Sequence, residues 1–178
     1  MSEPSVFDAP EAHLEGLGDR FLLAMAARDK GDIDAAAELL RAVIRVEPRL
    51  GEPQMELARI LLETEQLDDA ETHAREAVRI FEGGGQWTEA LPEEVVLSMA
   101  HDLLGEILRS KADSDEVVFG EPARFESLMR EAREAFKRAA ELDPTNEHAV
   151  TWAFGFDPSS VAAAEAAERA PLDEEPEN

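Results

Sequence analysis

The chain has 178 residues, no cysteine and 44% hydrophobic residues, enough for one domain with a core but without disulfides or thiol chemistry. Asp and Glu number 41 against 17 Lys and Arg, a formal net charge of −24, which repels nucleic acid and anionic membrane surfaces. No apolar run approaches the ~18 residues of a membrane-spanning helix, and the opening MSEPSVFDAPEAHLEG lacks the basic and apolar parts of a signal peptide, so a cytoplasmic protein is expected. Lys30, Lys111 and Lys137 are the only lysines. Such a composition suits a salt-adapted cytoplasm, where salt screens self-repulsion, and equally an ordinary acidic protein from a high-GC genome.

Glycine and proline divide the chain into amphipathic segments. Asp8 and Pro10 open a first helix that Gly31 stops, with Leu17, Phe21, Ala24 and Arg28 on one face,. After Gly31-Asp32 a second helix carries Ile33, Ala36, Leu40, Val43 and Ile44 inward and ends at Pro48,. A third starts near Gly51 and frays by Gln66. The fourth runs from Leu67 to Phe81 with Ala70, Ala74, Ala77 and Val78 inward. The glycines of GGGQ, 83–86, break the chain there and read as an ordinary linker,. A fifth helix fits 92–110 and a sixth 122–142; short helical pieces follow at 146–153 and 158–169. No segment alternates as a strand would. The fold class is all-α.

Ala36 and Ala70, each following a turn, lie 34 residues apart, the period of a helix–turn–helix repeat. In the first unit Leu23-Ala24 precede Gly31-Asp32, Ala36, Leu40, Val43 and Pro48. In the second, Leu57-Ala58 precede Leu67, Ala70, Ala74 and Ala77. A third unit has Leu104-Gly105, then Ala132, Phe136, Ala139 and Pro144 in AELDPTN. On these residues the chain resembles the tetratricopeptide repeat (TPR) family. The resemblance implies a short solenoid of antiparallel helix pairs, with repeats at about 17–50, 51–84 and 98–146. An insertion at 111–125 splits the third repeat, and a cap follows at 147–169. The helical domain spans 10–169, between an N-terminal tail at 1–9 and an acidic tail at 170–178 expected to be disordered,. The chain departs from the family pattern in three ways. Ala70 and Ala132 are 62 residues apart, the bulky slot of helix A holds Arg20, Gln54 and His101, and the second unit lacks the turn glycine and the closing proline.

The resemblance further implies a non-enzymatic scaffold or adaptor that binds a protein or peptide in the concave groove lined by helix A. The groove positions fall on Phe21, Leu22, Met25 and Arg28; on Met55, Glu56, Arg59 and Leu62; and on Met99, Asp102, Leu103, Glu106 and Arg109. Methionines adapt to apolar anchors and arginines hold carboxylates, so a peptide with apolar and a few acidic groups would suit. Alternatively these residues pack under the N-terminal helix or the insertion, leaving no groove. One subfamily holds chaperone C-termini in a clamp of lysine and asparagine. The clamp positions here are Phe21, Met25, Glu56, Met99 and Leu103, which excludes that partner.

In the insertion, Val117, Val118 and Phe119 either fold onto the solenoid or meet a partner. Trp152, Phe154 and Phe156 are expected to seal the last repeat. The four histidines, His13, His73, His101 and His148, show no metal-ligand spacing, and no nucleotide loop or nucleophile motif occurs,. No catalysis, cofactor or metal is expected. A self-associating structural protein, possible as a homodimer, and a substrate-holding chaperone are the rival readings.

Overall fold

The structure is a computed structural model that describes residues 11–88 and 90–155, with side chains from residue 16 onward. The expectations for Asp8, Pro10, Phe156, the 158–169 helix and both tails lie outside the described residues. Eight helices and no strand occur among the described residues: α1 (Glu11–Asp29), α2 (Ile33–Val46), α3 (Gly51–Glu63), α4 (Leu67–Glu82), α5 (Glu93–Ala112), α6 (Asp115–Gly120), α7 (Pro122–Leu142) and α8 (Glu147–Phe154). The fold is an all-α solenoid of helix pairs. α1 packs on α2, α3 on α4 and α5 on α7, while α2–α3 and α4–α5 contacts join successive pairs.

The alanine stripes explain the close approach of the helices. Ala24, Ala36, Ala58, Ala70, Ala74 and Ala77 are all fully buried, and their small side chains let facing backbones draw together while Leu40, Leu57, Leu61 and Phe81 fill the spaces between,. Two glycines make room for rings. A Cβ on Gly51 would collide with Phe81, and one on Gly105 would lie 2.8 Å from Phe136.

The 34-residue register is visible in the turns. Gly31 has φ +80°; its N–H donates to the Arg28 carbonyl and the Asp32 N–H to that of Ala27. Thirty-four residues on, the Glu65 N–H donates to Leu62 and the Gln66 N–H to Leu61. The two turns are the same, a helix stop closed by paired bonds around a left-handed residue. In the second repeat a glutamate takes the glycine's place at φ +59°. The missing glycine changes the cost of the turn and leaves its geometry intact.

Two departures in length are resolved differently from a loop. Residues 85–88 are docked: the buried Glu52 carboxylate accepts from the Trp87 N–H at 2.8 Å and the Thr88 N–H at 2.9 Å. Gly51 N–H donates to the Gly85 carbonyl. Trp87 thereby joins Leu17, Val43 and Leu50 in a small cluster and meets Phe21 edge-on at 5.7 Å. The bulky ring absent from helix A of the first repeat arrives from this linker instead.

The second length departure is helical. α5 and α7 have 20 and 21 residues, against 14, 13 and 16 for α2, α3 and α4. Most of the expected 111–125 insertion becomes the end of α5, α6 and the start of α7. Val117 is buried and Phe119 is 84% exposed, so the apolar triplet is divided between core and surface. Lys111 ties the extension back to α4 through Asp68 at 2.5 Å and Glu71 at 2.6 Å.

α8 packs on α7. Asn146 caps it by accepting from the Ala149 N–H, and the Asn146 side chain also donates to Ser98. Ser98, fully buried on α5, donates in turn to the Ala139 carbonyl of α7. These bonds set α8 against the α5–α7 pair and bring His148 and Trp152 to its inner side.

Candidate functional site: the concave groove

A cavity of about 550 Å³ opens along the inner side of the solenoid. Its helical lining is Arg28 of α1, Arg59, Leu62 and Glu63 of α3, Met99, Asp102, Leu103 and Glu106 of α5, and His148 of α8; Asp143 and Asn146 come from the α7–α8 turn. Helices α2, α4 and α6 contribute nothing to it. The insertion does not fill it.

Seven sequence-predicted residues therefore converge: Arg28, Arg59, Leu62, Met99, Asp102, Leu103 and Glu106. Arg109 stands beside them, bidentate to Glu106 at 2.6 and 3.2 Å and bonded to Asp113 at 2.7 Å. Phe21 and Met25 are half-buried and packed against the core. Met55 is a correction: it is 5% exposed, inside the main core. It lies on the central helix pair, where neighbours on both sides cover the slot that Phe21 occupies at the edge. Val117 is likewise core, while Val118 and Phe119 are exposed on α6, away from the groove.

The arginines are already engaged. Arg28 reaches Glu56 at 2.6 Å and Glu63 at 2.8 Å, and Arg59 lies 3.7 Å from Glu56. Hydrogen bonding to Glu106 holds the Arg109 guanidinium above its ordinary pKa, against the opposing effect of burial,. The expectation that these arginines wait for a partner's carboxylate meets carboxylates of the chain itself.

The far wall is a relay of rings and charges. Indole N–H can only donate, so Trp152 donates to His148 Nε2 at 3.1 Å. His148 Nδ1 then carries the proton and donates to Asp102 at 2.8 Å. Trp152 stacks on Phe136 at 5.9 Å, and the Arg109 guanidinium sits 4.8 Å from the indole centroid, a cation–π geometry. Trp152 covers one face of Phe136 but is itself 40% exposed, so it only partly closes the third repeat. Phe154 is exposed.

Sequence reasoning missed Glu63, Asp143, Asn146 and His148. Glu63 lies one position past the expected groove face of α3. The other three reach the cavity only because the Ser98–Asn146 bond seats α8, and no spacing in the sequence announces that.

With this geometry in view, the similarities to known proteins are informative. Residues 21–85 match the family model described as tetratricopeptide repeat. Residues 21–85 carry the tetratricopeptide repeat (TPR). The TPR match covers the first two helix pairs, where the 34-residue register is unbroken. Among solved structures, the chain is similar to the first TPR of Spaghetti (RPAP3) bound to the HSP90 peptide SRMEEVD. That likeness has a TM-score of 0.55 at 14% identity, over 84% of this chain and 93% of that one. No curated protein sequence matches the chain. Among the described residues, no helix of this chain is long and apolar enough to cross a membrane.

Proposed function

We propose that the chain is a binding scaffold, an adaptor that holds a protein or peptide segment in its concave groove. The observation that carries this reading is the open cavity of about 550 Å³ lined by the first helices of three successive pairs. Concave, partly apolar clefts of this size are where ligand segments bind. The fold's usual role in binding supports a non-enzymatic protein, and the Spaghetti TPR supports a peptide as the class of occupant.

Leu62, Met99 and Leu103 supply apolar contact at the groove floor. Replacing Leu62 and Met99 by Gln alters that floor without changing its charge. Affinity capture from the native lysate, read by mass spectrometry, is expected to retain a partner on the unaltered chain and lose it on L62Q/M99Q at unchanged helicity. Equal retention by both would place the binding surface elsewhere.

Self-association is the second reading, and one observation favours it. Leu23 is 59% exposed while Leu57 and Leu104, in the same repeat slot, are buried. The open end of the first pair thus presents apolar surface together with Leu22. The net charge of −24 opposes contact between copies at low salt. Light scattering over a range of concentrations and salt tests this reading, and a monomer throughout would contradict it.

A further inference from the structure

We infer that the groove selects a cationic segment, one carrying lysine or arginine between apolar anchors; this rests on the peptide-binding reading above. The lining holds four carboxylates, Glu63, Asp102, Glu106 and Asp143, against two guanidinium groups, those of Arg28 and Arg59. Those two arginines face carboxylates at short range, Arg28 with Glu56 and Glu63 and Arg59 near Glu56. An incoming anion would have to displace these intramolecular partners and enter a site whose charge is already negative.

A cation meets the opposite situation. Glu106 and Asp102 each keep lone pairs beyond their bonds to Arg109 and His148, because an ionised carboxylate offers about four acceptor sites. They stand on one face of α5, a turn apart, so successive basic side chains of an extended segment can address them. Leu62, Met99 and Leu103 lie among the carboxylates and receive apolar side chains from the same segment. The long stems of lysine and arginine cover such apolar surface while their heads reach charge. The field of a chain at −24 further raises the encounter rate of a basic partner. The occupant is therefore opposite in charge to an acidic peptide such as the SRMEEVD held by the Spaghetti TPR.

General acidity alone would attract any polycation, so the test separates the groove from the rest of the surface. A displayed library of random peptides, about ten residues long and so ~33 Å when extended, is selected on the full chain near physiological salt. An enriched peptide is then measured against two variants that each remove two charges. E63Q/E106Q acts in the groove and leaves Arg28 its bond to Glu56 and Arg109 its bond to Asp113. E126Q/E134Q acts on exposed positions of α7. The expected result is enrichment of basic residues interspersed with apolar ones, an affinity lowered about tenfold or more by E63Q/E106Q, and a change under about twofold with E126Q/E134Q. Enrichment of acidic or uncharged peptides that L62Q/M99Q releases would overturn the charge assignment and leave the peptide-binding groove standing. Equal losses with the two charge variants would overturn it as well, as surface attraction only. No enrichment at all would overturn both readings together.

Discussion

The first two helix pairs and the third solve the same packing problem with different amounts of chain. In the regular half, Gly31 and Glu65 close turns with the same bonds at the same spacing, and alanines fill the interhelix contacts. In the irregular half, α5 and α7 are longer, α6 intervenes, and the close contact is made by Phe136 on Gly105. Extra residues in a helical repeat need not form a loop. Where they carry their own helical pattern they lengthen the pair, and the end of the longer pair has to be held by something new. Lys111 does that on one side and α8 on the other.

The largest expected effect falls on the irregular half. Phe136→Ala removes a fully buried ring that also supports Trp152, and it should cost about 3–5 kcal/mol in chemical denaturation. Trp152 fluorescence should shift toward the solvent-exposed value before that of Trp87. Simultaneous shifts would mean that the two halves are one cooperative unit. A smaller loss, about 2 kcal/mol, is expected for Glu52→Ala, which leaves the Trp87 and Thr88 N–H groups without their buried acceptor. Amide exchange should quicken over 83–92 and stay slow in α7.

Lys111→Met tests the tie between the halves. Burial favours the neutral form of Glu71, but hydrogen bonds from Lys111 and Arg75 outweigh it and hold the carboxyl below its usual range. A hydrogen bond from Lys111 lowers Asp68 likewise. Both folded values lie below the unfolded ones, so this contribution is complete above about pH 4.5 and lost as pH falls through the depressed values. The substitution should cost less than about 1 kcal/mol at neutral pH, since Asp68 is exposed,. It should also flatten the part of the acid-unfolding curve below about pH 4.5. An unchanged curve would remove Lys111 from the account.

The smallest effect belongs to the regular half. Glu65→Gly relieves a left-handed residue that carries a Cβ, and a gain of about 0.5–1 kcal/mol is expected once glycine's extra unfolded entropy is set against the relief. A loss would show that the Glu65 side chain contributes more than its backbone strain costs.

Much of this was legible in the sequence because the physics involved is local. Helix stops at Gly31, Pro48 and Pro144, the alanine stripes and the 34-residue spacing all follow from bonding and packing within one repeat. The inner faces of α1, α3 and α5 followed from the resemblance to the repeat family, which placed Arg28, Arg59, Leu62, Met99, Asp102, Leu103 and Glu106 on one side. What escaped was whatever depends on contacts between distant segments. The burial of Met55 requires knowing that its helix is central. The docking of the GGGQ linker requires Glu52 to meet Trp87 across 35 residues. The entry of His148 into the groove requires the Ser98–Asn146 bond, and the pairing of Arg28 requires Glu56 and Glu63 to lie opposite it.

The central claim is that ligand contact is made on the concave side, and the methionines report on it directly. With methyl-labelled methionine, Met99 lies in the groove wall, Met55 in the core and Met129 on α7 away from the cavity. Titration with a peptide selected on the chain is predicted to shift or broaden the Met99 methyl signal and leave Met129 in place. A moving Met129 with a stationary Met99 would contradict the account.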